Sequence, residues 1–319
     1  MRTLIKIWFL TAINFSLPHL YSCDICGCGI RDNSMSMGNL QGISNQNLSL
    51  SFNRWKLNTP FSNGSINYNI QDHINNWSVG YNQNLNSKTQ WYVNLPYQVV
   101  SRKNLNNENG SETTSGIGDI NLGLNYRIID NRKIQILDQH QLLMGGFSLK
   151  LPTGKYQTRG ENKIMLPMHL QPGNGSYSFG SQLYYSVIKN NLGVNIFTKY
   201  NHTLENELGY KQGNNWQNNG GIFYTLKLNN LIVIPQIGAS YETYQTDKNF
   251  GNVVDYTGGS LSYMYGQVEI IWKNIYLSIK SANPLNINIP TDAPRPQNRM
   301  QFTLSWILDS SKKSMGDSM

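Results

Sequence analysis

An apolar residue stands at every second position of Asp119-Ile120-Asn121-Leu122-Gly123-Leu124-Asn125-Tyr126-Arg127-Ile128. Neighbouring residues of a β-strand point to opposite faces, so this stretch would form one apolar and one polar face as a strand. An α-helix, with about 3.6 residues per turn, would mix the two sets. The stretch therefore predicts a strand that has an apolar environment on one side and a polar one on the other.

The same period of two recurs along the chain and predicts about twelve strands. We place them at residues 46–58, 75–86, 88–101, 116–129, 138–152, 174–188, 191–204, 215–228, 230–243, 256–272, 274–281 and 298–308. Most reach the roughly 9 to 11 residues with which a tilted strand crosses a membrane. Two of them change phase, after Phe52 and after Tyr265, and we interpret both changes as β-bulges.

The connections alternate between long and short, as they do in outer-membrane barrels. We expect short turns at Ser87, 130–137, Lys189-Asn190, Asn229 and Lys273, and long loops near 59–74, 102–115, 153–173, 205–214, 244–255 and 282–297. With an even number of strands, both ends of the barrel chain lie on one side of the membrane. We expect that side to be periplasmic, because the chain also carries an export signal.

The export signal is the segment 1–22. Arg2 and Lys6 precede a short apolar run, which is the layout of a secretory signal peptide. The run is too short to span a bilayer about 30 Å thick. We divide the rest of the chain into a flexible periplasmic segment (23–46), a barrel (47–308) and a C-terminal tail (309–319).

The fold class predicted is all-β: a transmembrane antiparallel up-and-down β-barrel with short periplasmic turns and long extracellular loops. Charged residues make up only 14% of the chain, well below the usual quarter for a soluble domain. The alternative is a secreted β-sandwich. Aromatic residues on the apolar face near strand ends favour the barrel, since they resemble the aromatic girdles of outer-membrane proteins: Tyr81, Trp91, Tyr97, Tyr200, Trp216, Tyr241, Tyr256, Trp272 and Trp306.

The polar face of each strand would line the barrel lumen, where a solute would meet it. The lumen-lining candidates are Asp119, Asn121, Arg127, Lys150, Lys199, Lys227, Glu242 and Lys280. The excess of lysine and arginine among them hints at anions or acidic amphiphiles, although cross-strand ion pairs would explain it equally. Twelve strands leave a narrower interior than a general porin has. We therefore predict a selective or gated outer-membrane channel for a small hydrophobic or acidic solute, which segment 23–46 could plug.

Three local sequences resemble one family of outer-membrane proteins. They are Gly116-Ile117-Gly118-Asp119, the run Gly146-Phe147-Ser148-Leu149-Lys150-Leu151-Pro152-Thr153-Gly154-Lys155-Tyr156, and Leu170-Gln171-Pro172-Gly173-Asn174-Gly175-Ser176. These are similar to transporters of the meta-pathway type of phenol degradation, which are distantly similar to long-chain fatty acid channels. The resemblance covers about residues 115–190. It implies a barrel and a transport role, here in a variant with an N-terminal cysteine cluster, but no particular solute.

All three cysteines of the chain lie in Cys23-Asp24-Ile25-Cys26-Gly27-Cys28. Thiolates at this spacing could bind Cu(I) or Zn(II) at the periplasmic mouth, which would make the protein a metal-linked outer-membrane component. Lipidation of Cys23 and a disulfide remain as alternatives. A closed zinc site also needs a fourth ligand, and the nearby sequence contains no histidine.

An enzyme or surface-binding barrel is the third functional class. The histidines beyond the signal are His73, His140, His169 and His202, and none belongs to a Gly-x-Ser-x-Gly or His-Glu-x-x-His motif. We therefore expect no catalysis. The net charge of +8 does not indicate nucleic-acid binding, because many basic residues fall at the predicted periplasmic turns. The expected partners are outer-membrane lipid and a small solute.

Overall fold

Antiparallel pairing joins the alternating runs in the order in which they occur in the chain. The computed structural model describes residues 46–63, 66–104, 111–132, 139–157, 168–291 and 293–308. Its strands are β1 (Gln46–Asn63), β2 (Ile66–Asn84), β3 (Thr89–Asn104), β4 (Ser111–Ile117), β5 (Asn121–Asp130), β6 (Gln139–Lys150), β7 (Ser178–Lys189), β8 (Leu192–Thr203), β9 (Tyr210–Lys211), β10 (Asn215–Tyr224), β11 (Leu226–Leu228), β12 (Leu231–Tyr244), β13 (Lys248–Asn249), β14 (Asn252–Val253), β15 (Gly259–Trp272), β16 (Ile275–Asn288) and β17 (Arg295–Ile307).

The sheet closes on itself. β1 pairs with β17 and β10 pairs with β12, so the path of hydrogen-bonded neighbours forms a ring. β4 and β5 lie end to end along β3 and fill one wall position, as β10 and β11 do along β12. The result is a closed barrel of 12 antiparallel strands, as the sequence predicted, and not a sandwich.

Helical structure within the described ranges is one 3-10 turn, Met168–Leu170. No helix in those ranges is both long enough and apolar enough to cross a membrane.

The faces of β5 are those that its sequence predicts. Leu124, Tyr126 and Ile128 are exposed on the outside, whereas Asn125 and Arg127 are buried in the interior. Around the barrel, exposed leucine, isoleucine, valine and aromatic side chains cover the outer face. An exposed apolar surface of this extent requires lipid or detergent around it.

The two ends of the barrel differ. Tight turns close one end, and three of them contain a residue in the left-handed backbone region: Asn190 (φ 55°), Asn229 (φ 52°) and Lys273 (φ 51°). We call this the short-turn end and the opposite one the long-loop end. At the short-turn end the backbone N–H of Leu308 donates to the carbonyl of Gln46 at 3.0 Å. Both ends of the barrel chain therefore lie on the same side.

The prediction of a long loop near 59–74 is wrong, because residues 59–63 and 66–74 belong to strands β1 and β2. β1 and β2 remain paired as far as Asn63 opposite Ile66. The sequence hides this extension for a physical reason. Strands that rise beyond the hydrocarbon have no need of an apolar outer face, so the alternation that marks a spanning strand disappears there.

The two predicted phase changes are also wrong. On β1, Trp55 and Leu57 point inward with Asn53, and on β15 Tyr265 points inward with Gln267. The register does shift near both places, but the extra residues lie on the partner strands β17 and β16. The inside-outside alternation of β1 and β15 is therefore continuous, and the apolar residues in question belong to the lumen.

Three clusters of buried apolar residues occupy the interior. The largest, which we call the upper cluster, lies at the long-loop end and contains Trp55, Leu57, Ile74, Val100, Leu170, Tyr244, Leu261, Tyr263, Tyr265, Ala282 and Ala293. A second includes Phe223, Ile234, Ile271, Tyr276 and Ile307 towards the short-turn end. The third contains Leu142, Met144, Tyr184 and Phe197. Most other buried positions on the strands carry asparagine, serine, glutamine or charged side chains.

Candidate functional site

The candidate site is built around Asp119, which lies at the break between β4 and β5. Its Oδ1 accepts a hydrogen bond from the backbone N–H of Gly154 at 2.9 Å, and its Oδ2 accepts one from the N–H of Asn174 at 3.1 Å. The ammonium group of Lys150 lies 3.5 Å from Oδ2. One buried carboxylate therefore holds two parts of the connection between β6 and β7.

Glycines let the backbones meet at this carboxylate. A Cβ on Gly173 would lie 2.8 Å from Oδ1 of Asp119 and 2.8 Å from the carbonyl carbon of Gly154. A Cβ on Gly154 would lie 2.7 Å from the carbonyl carbon of Gly118. Distances below 3.0 Å do not occur for real side chains, so a larger residue would displace backbone at either position. The glycines of the three motifs thus serve one common junction.

Backbone hydrogen bonds complete the junction. The N–H of Leu151 donates to the carbonyl of Ile120 at 2.8 Å, and that of Lys155 donates to the carbonyl of Ile117 at 2.9 Å. Segment 151–155 therefore pairs with the chain where β4 gives way to β5. The hydroxyl of Thr153 accepts from the N–H of Ile120 at 2.9 Å. Backbone N–H and C=O groups of the wall between β4 and β5 would otherwise lack hydrogen-bond partners. Segment 151–155 supplies those partners.

Next to this junction, segment 168–177 lies inside the barrel. Leu170 belongs to the upper cluster, whose other members include residues of β1, β2, β3, β12, β15 and β16. Gln171, Asn174 and Ser176 are buried as well. Segment 168–177 therefore joins the Asp119 junction to the upper cluster and occupies part of the interior at the long-loop end.

Polar contacts tie the same segment to the neighbouring loop. Asn174 donates through Nδ2 to Oε1 of Gln212 at 2.9 Å and accepts through its backbone carbonyl from Nδ2 of Asn206 at 2.9 Å. The hydroxyl of Tyr156 donates to Oε2 of Glu207 at 3.1 Å. Partial desolvation and the Glu207 carboxylate raise the pKa of Tyr156, so the phenol remains a donor at neutral pH.

The predicted lumen-lining residues are placed unevenly. Asp119, Asn121, Arg127, Lys199 and Glu242 are buried in the interior, and Lys150 and Lys280 are half-buried. Lys227 is exposed at the short-turn end, on β11, where its cross-strand partner is Ile232, which packs against the interior cluster that contains Phe223. Whether any of the eight contacts a solute stays a prediction.

Several of these charges have structural partners. Arg127 donates to the carbonyl of Ser87 at 2.8 Å and to Oδ1 of Asn84 at 3.0 Å, so it fixes a short turn. Glu242 pairs with Arg299, whose Nη1 lies 2.7 Å from Oε1. Ion pairing thus accounts for part of the basic excess that hinted at anions.

Three interior residues of functional interest were not among the sequence-based candidates: Trp55, Glu269 and Arg299. Arg299 directly precedes Met300, which points outward. The alternation along the strand therefore predicts that the Arg299 side chain points inward. Trp55 has the same parity as Asn53, yet its apolar character suggested a lipid contact. Parity within a strand is therefore a better guide to the lumen than polarity.

The remaining predictions concern residues that the structure does not describe or does not assemble. The structure does not describe Cys23, Cys26 and Cys28, so their metal binding stays a prediction. Of the plug predicted for 23–46, only Gln46 is among the described residues. Within the described ranges, no group of three or more histidine, cysteine, aspartate or glutamate side chains is arranged to hold a metal ion. His73 bonds to Oε1 of Gln71 at 2.9 Å.

Comparison with known proteins supports the fold. No protein-family model matches the chain, and no curated protein matches it. Among solved structures, an outer membrane channel from Pseudomonas putida F1 is similar over 82% of this chain and 95% of its own, with 11% identity and a TM-score of 0.62. The β domain of the Bordetella autotransporter BrkA covers 83% of this chain and 100% of its own, with 9% identity and a TM-score of 0.45. At these identities the first similarity shows a shared barrel fold.

Proposed function

We propose that this protein is an outer-membrane channel that passes a small solute, with segment 168–177 as its gate. The barrel is closed, its outer face is apolar and its interior is largely polar, as expected for a channel wall. The short-turn end and both chain ends would face the periplasm. The three motifs that resemble meta-pathway transporters contain residues of the Asp119 junction, which supports the same type of transport.

The observation that carries the proposal is the way the gate is held. Segment 168–177 is anchored by one backbone hydrogen bond to the Asp119 carboxylate, by hydrogen bonds with Lys155, Asn206 and Gln212, and by Leu170 in the upper cluster. A few hydrogen bonds, each worth about 1 kcal/mol net or about twice that when charged, can be broken on the timescale of channel gating. The barrel wall has a continuous hydrogen-bonded ladder and would stay intact when the segment moves.

The test is conductance in planar bilayers. We expect the mature protein to give small current steps, and Asp119→Asn to open about tenfold more often, because the amide group places an N–H against a backbone donor and loses the Lys150 ion pair. Asp255→Asn, in an exposed loop, is the matched control and should behave as wild type. Absence of conductance in wild type and in Asp119→Asn would contradict the channel.

A further inference from the structure

The guanidinium of Arg299 is buried in the lumen with only part of its hydrogen-bonding capacity used. Its Nη1 donates to Oε1 of Glu242 at 2.7 Å, and its Cζ lies 4.0 Å from the ring centre of Tyr263. Its Nε and Nη2 are buried and have no hydrogen-bond partner among the described residues. These two atoms form the edge of a guanidinium that binds both oxygens of a carboxylate through parallel N–H groups.

A second unsatisfied donor belongs to the residue paired with Arg299 on the neighbouring strand. Trp55 on β1 is the cross-strand partner of Arg299 on β17, and both side chains point inward. The indole Nε1 of Trp55 is buried and likewise without a hydrogen-bond partner in the described part of the chain. Since a buried donor without a partner destabilises the fold, unsatisfied donors on two paired residues indicate a site that an acceptor completes.

A second cation stands on the adjacent strand. Lys280 of β16 is one diagonal step from Arg299, which pairs with Ala282. Its ammonium group lies 3.8 Å from the ring centre of Tyr265 and has no ion pair among the described residues. The acids of this region are Glu242 and Glu269. Both oxygens of Glu242 are engaged, by Arg299 and by the hydroxyl of Tyr244, and Oε1 of Glu269 accepts from Gln267 at 2.8 Å.

We propose that Arg299, Trp55 and Lys280 form a binding site for a small organic carboxylate inside the lumen. The carboxylate oxygens accept hydrogen bonds from Nε and Nη2 of Arg299 and from the indole N–H of Trp55. The ammonium group of Lys280 lies nearby. The apolar part of the ligand lies against the upper cluster, to which Trp55, Tyr263 and Tyr265 belong. The Arg299 side chain is 11% exposed and Lys280 is half-buried, so other atoms of these two side chains reach the lumen next to the buried donors. This inference rests on the proposed channel function and names its solute class.

The experiment is calorimetric titration of the full mature protein in detergent. The ligands are sodium butyrate, its uncharged isostere butyramide, acetate and chloride. We expect butyramide to bind at least about tenfold more weakly than butyrate, because it lacks the charge that the guanidinium recognises. Acetate should bind several-fold more weakly because its apolar part is smaller. Chloride at the same concentration should not displace butyrate.

Three variants test the residues. Arg299→Lys keeps the charge and the partner of Glu242 but loses the two-pronged edge, so we expect about tenfold weaker binding. Trp55→Phe keeps an aromatic ring but loses the N–H, so we expect the affinity for butyrate to fall roughly fivefold. Lys280→Gln should weaken binding several-fold. Lys248→Gln, in the exposed strand β13, is the control and should bind as wild type.

The outcomes separate the site from the channel. Equal binding of butyrate and butyramide, displacement by chloride, or wild-type affinity in both Arg299→Lys and Trp55→Phe would overturn the site. Because Trp55→Phe is conservative, it decides the matter if Arg299→Lys does not fold. Conductance without butyrate binding would refute the site alone. Binding that depends on Arg299 in a protein without conductance would refute the channel and leave the site.

Discussion

The backbone N–H of Gly154 donates a hydrogen bond of 2.9 Å to Oδ1 of Asp119, 35 residues earlier in the chain. This contact joins the connection after β6 to the wall position shared by β4 and β5. Asn174 of segment 168–177 donates its backbone N–H to the other oxygen of the same carboxylate, so one side chain ties this segment to the barrel wall. Changes that unseat the segment should therefore act on gating and not on the barrel itself.

Gly173→Ala tests the contact between segment 168–177 and Asp119 without altering any charge. Its new Cβ would lie 2.8 Å from Oδ1 of Asp119, and the backbone of Gly154 blocks relief on the other side. We expect channel openings to become about tenfold more frequent, as an equilibrium shifts when about 1.4 kcal/mol is lost from one state. Single-channel recording measures this frequency.

Gly266→Ala is the matched control, since a Cβ at Gly266 meets nothing within 4 Å. It should conduct as wild type. Equal opening frequencies in Gly173→Ala and wild type would show that the packing at Gly173 does not hold the gate.

Ile237→Arg tests the assignment of the outer face to lipid. Ile237 lies on β12 between the levels of the girdle residues Trp272 and Tyr241, and its side chain is 55% exposed. An arginine near the middle of the hydrocarbon costs about 2 to 4 kcal/mol in a barrel. We expect the free energy of unfolding from lipid vesicles, measured by urea titration, to fall by that amount.

Val253→Arg provides the comparison at almost the same exposure, 57%. Val253 lies on β14, in the small sheet with β9 and β13 that is separate from the barrel wall. This variant should unfold as wild type does. If the two arginines cost the same, the outer face of β12 does not contact lipid.

The sequence predicted the barrel well because the membrane imposes a simple rule on every spanning strand. The alternation of β5 gave the correct face for Leu124 and Asn125. The same rule failed for Trp55, because an apolar residue satisfies both lipid and a packed lumen. Only its parity with the inward residues Ser51 and Asn53 distinguishes the two cases.

The candidate site was less accessible to sequence reasoning. Asp119 was predicted to line the lumen, and the three glycine-containing motifs were singled out by their resemblance to a transporter family. Their meeting at one carboxylate depends on how the connection after β6 folds back. The pairing of Glu242 with Arg299 depends on the closure of the barrel, across 57 residues. Spacing along a single strand carries no information about either relationship.

Asp72 and Arg102 form a buried ion pair at the long-loop end. We expect it to stabilise the fold more than an exposed ion pair does. The guanidinium of Arg102 donates to both carboxylate oxygens of Asp72, at 2.8 and 2.9 Å, and Asp72 is fully buried. Removing one partner of such a pair leaves a buried charge, which costs about 3 to 5 kcal/mol. A double-mutant cycle with Asp72→Asn and Arg102→Gln, followed by urea unfolding, measures the coupling.

The pair of Asp130 and Arg132 offers the comparison, because it is bidentate as well but both partners are partly exposed. Exposed pairs contribute about 0 to 1 kcal/mol. Coupling at Asp72 should therefore exceed that at Asp130. The reverse order would mean that burial of Asp72 does not control the interaction.

The cysteine cluster can be tested independently of the barrel. If Cys23, Cys26 and Cys28 bind Cu(I), anaerobic competition with a chromogenic chelator should show one tight site per mature chain, since soft thiolates prefer Cu(I). Cys26→Ser combined with Cys28→Ser should abolish it, because one remaining thiolate cannot chelate. Mass spectrometry of the mature N-terminus reports lipidation of Cys23, and thiol labelling without reductant reports a disulfide. The three-thiolate site is excluded if Cys23 is acylated. It is also excluded if Cu(I) still binds after both Cys26 and Cys28 are replaced. Binding of Zn(II) instead of Cu(I) at the same residues would identify the other predicted metal.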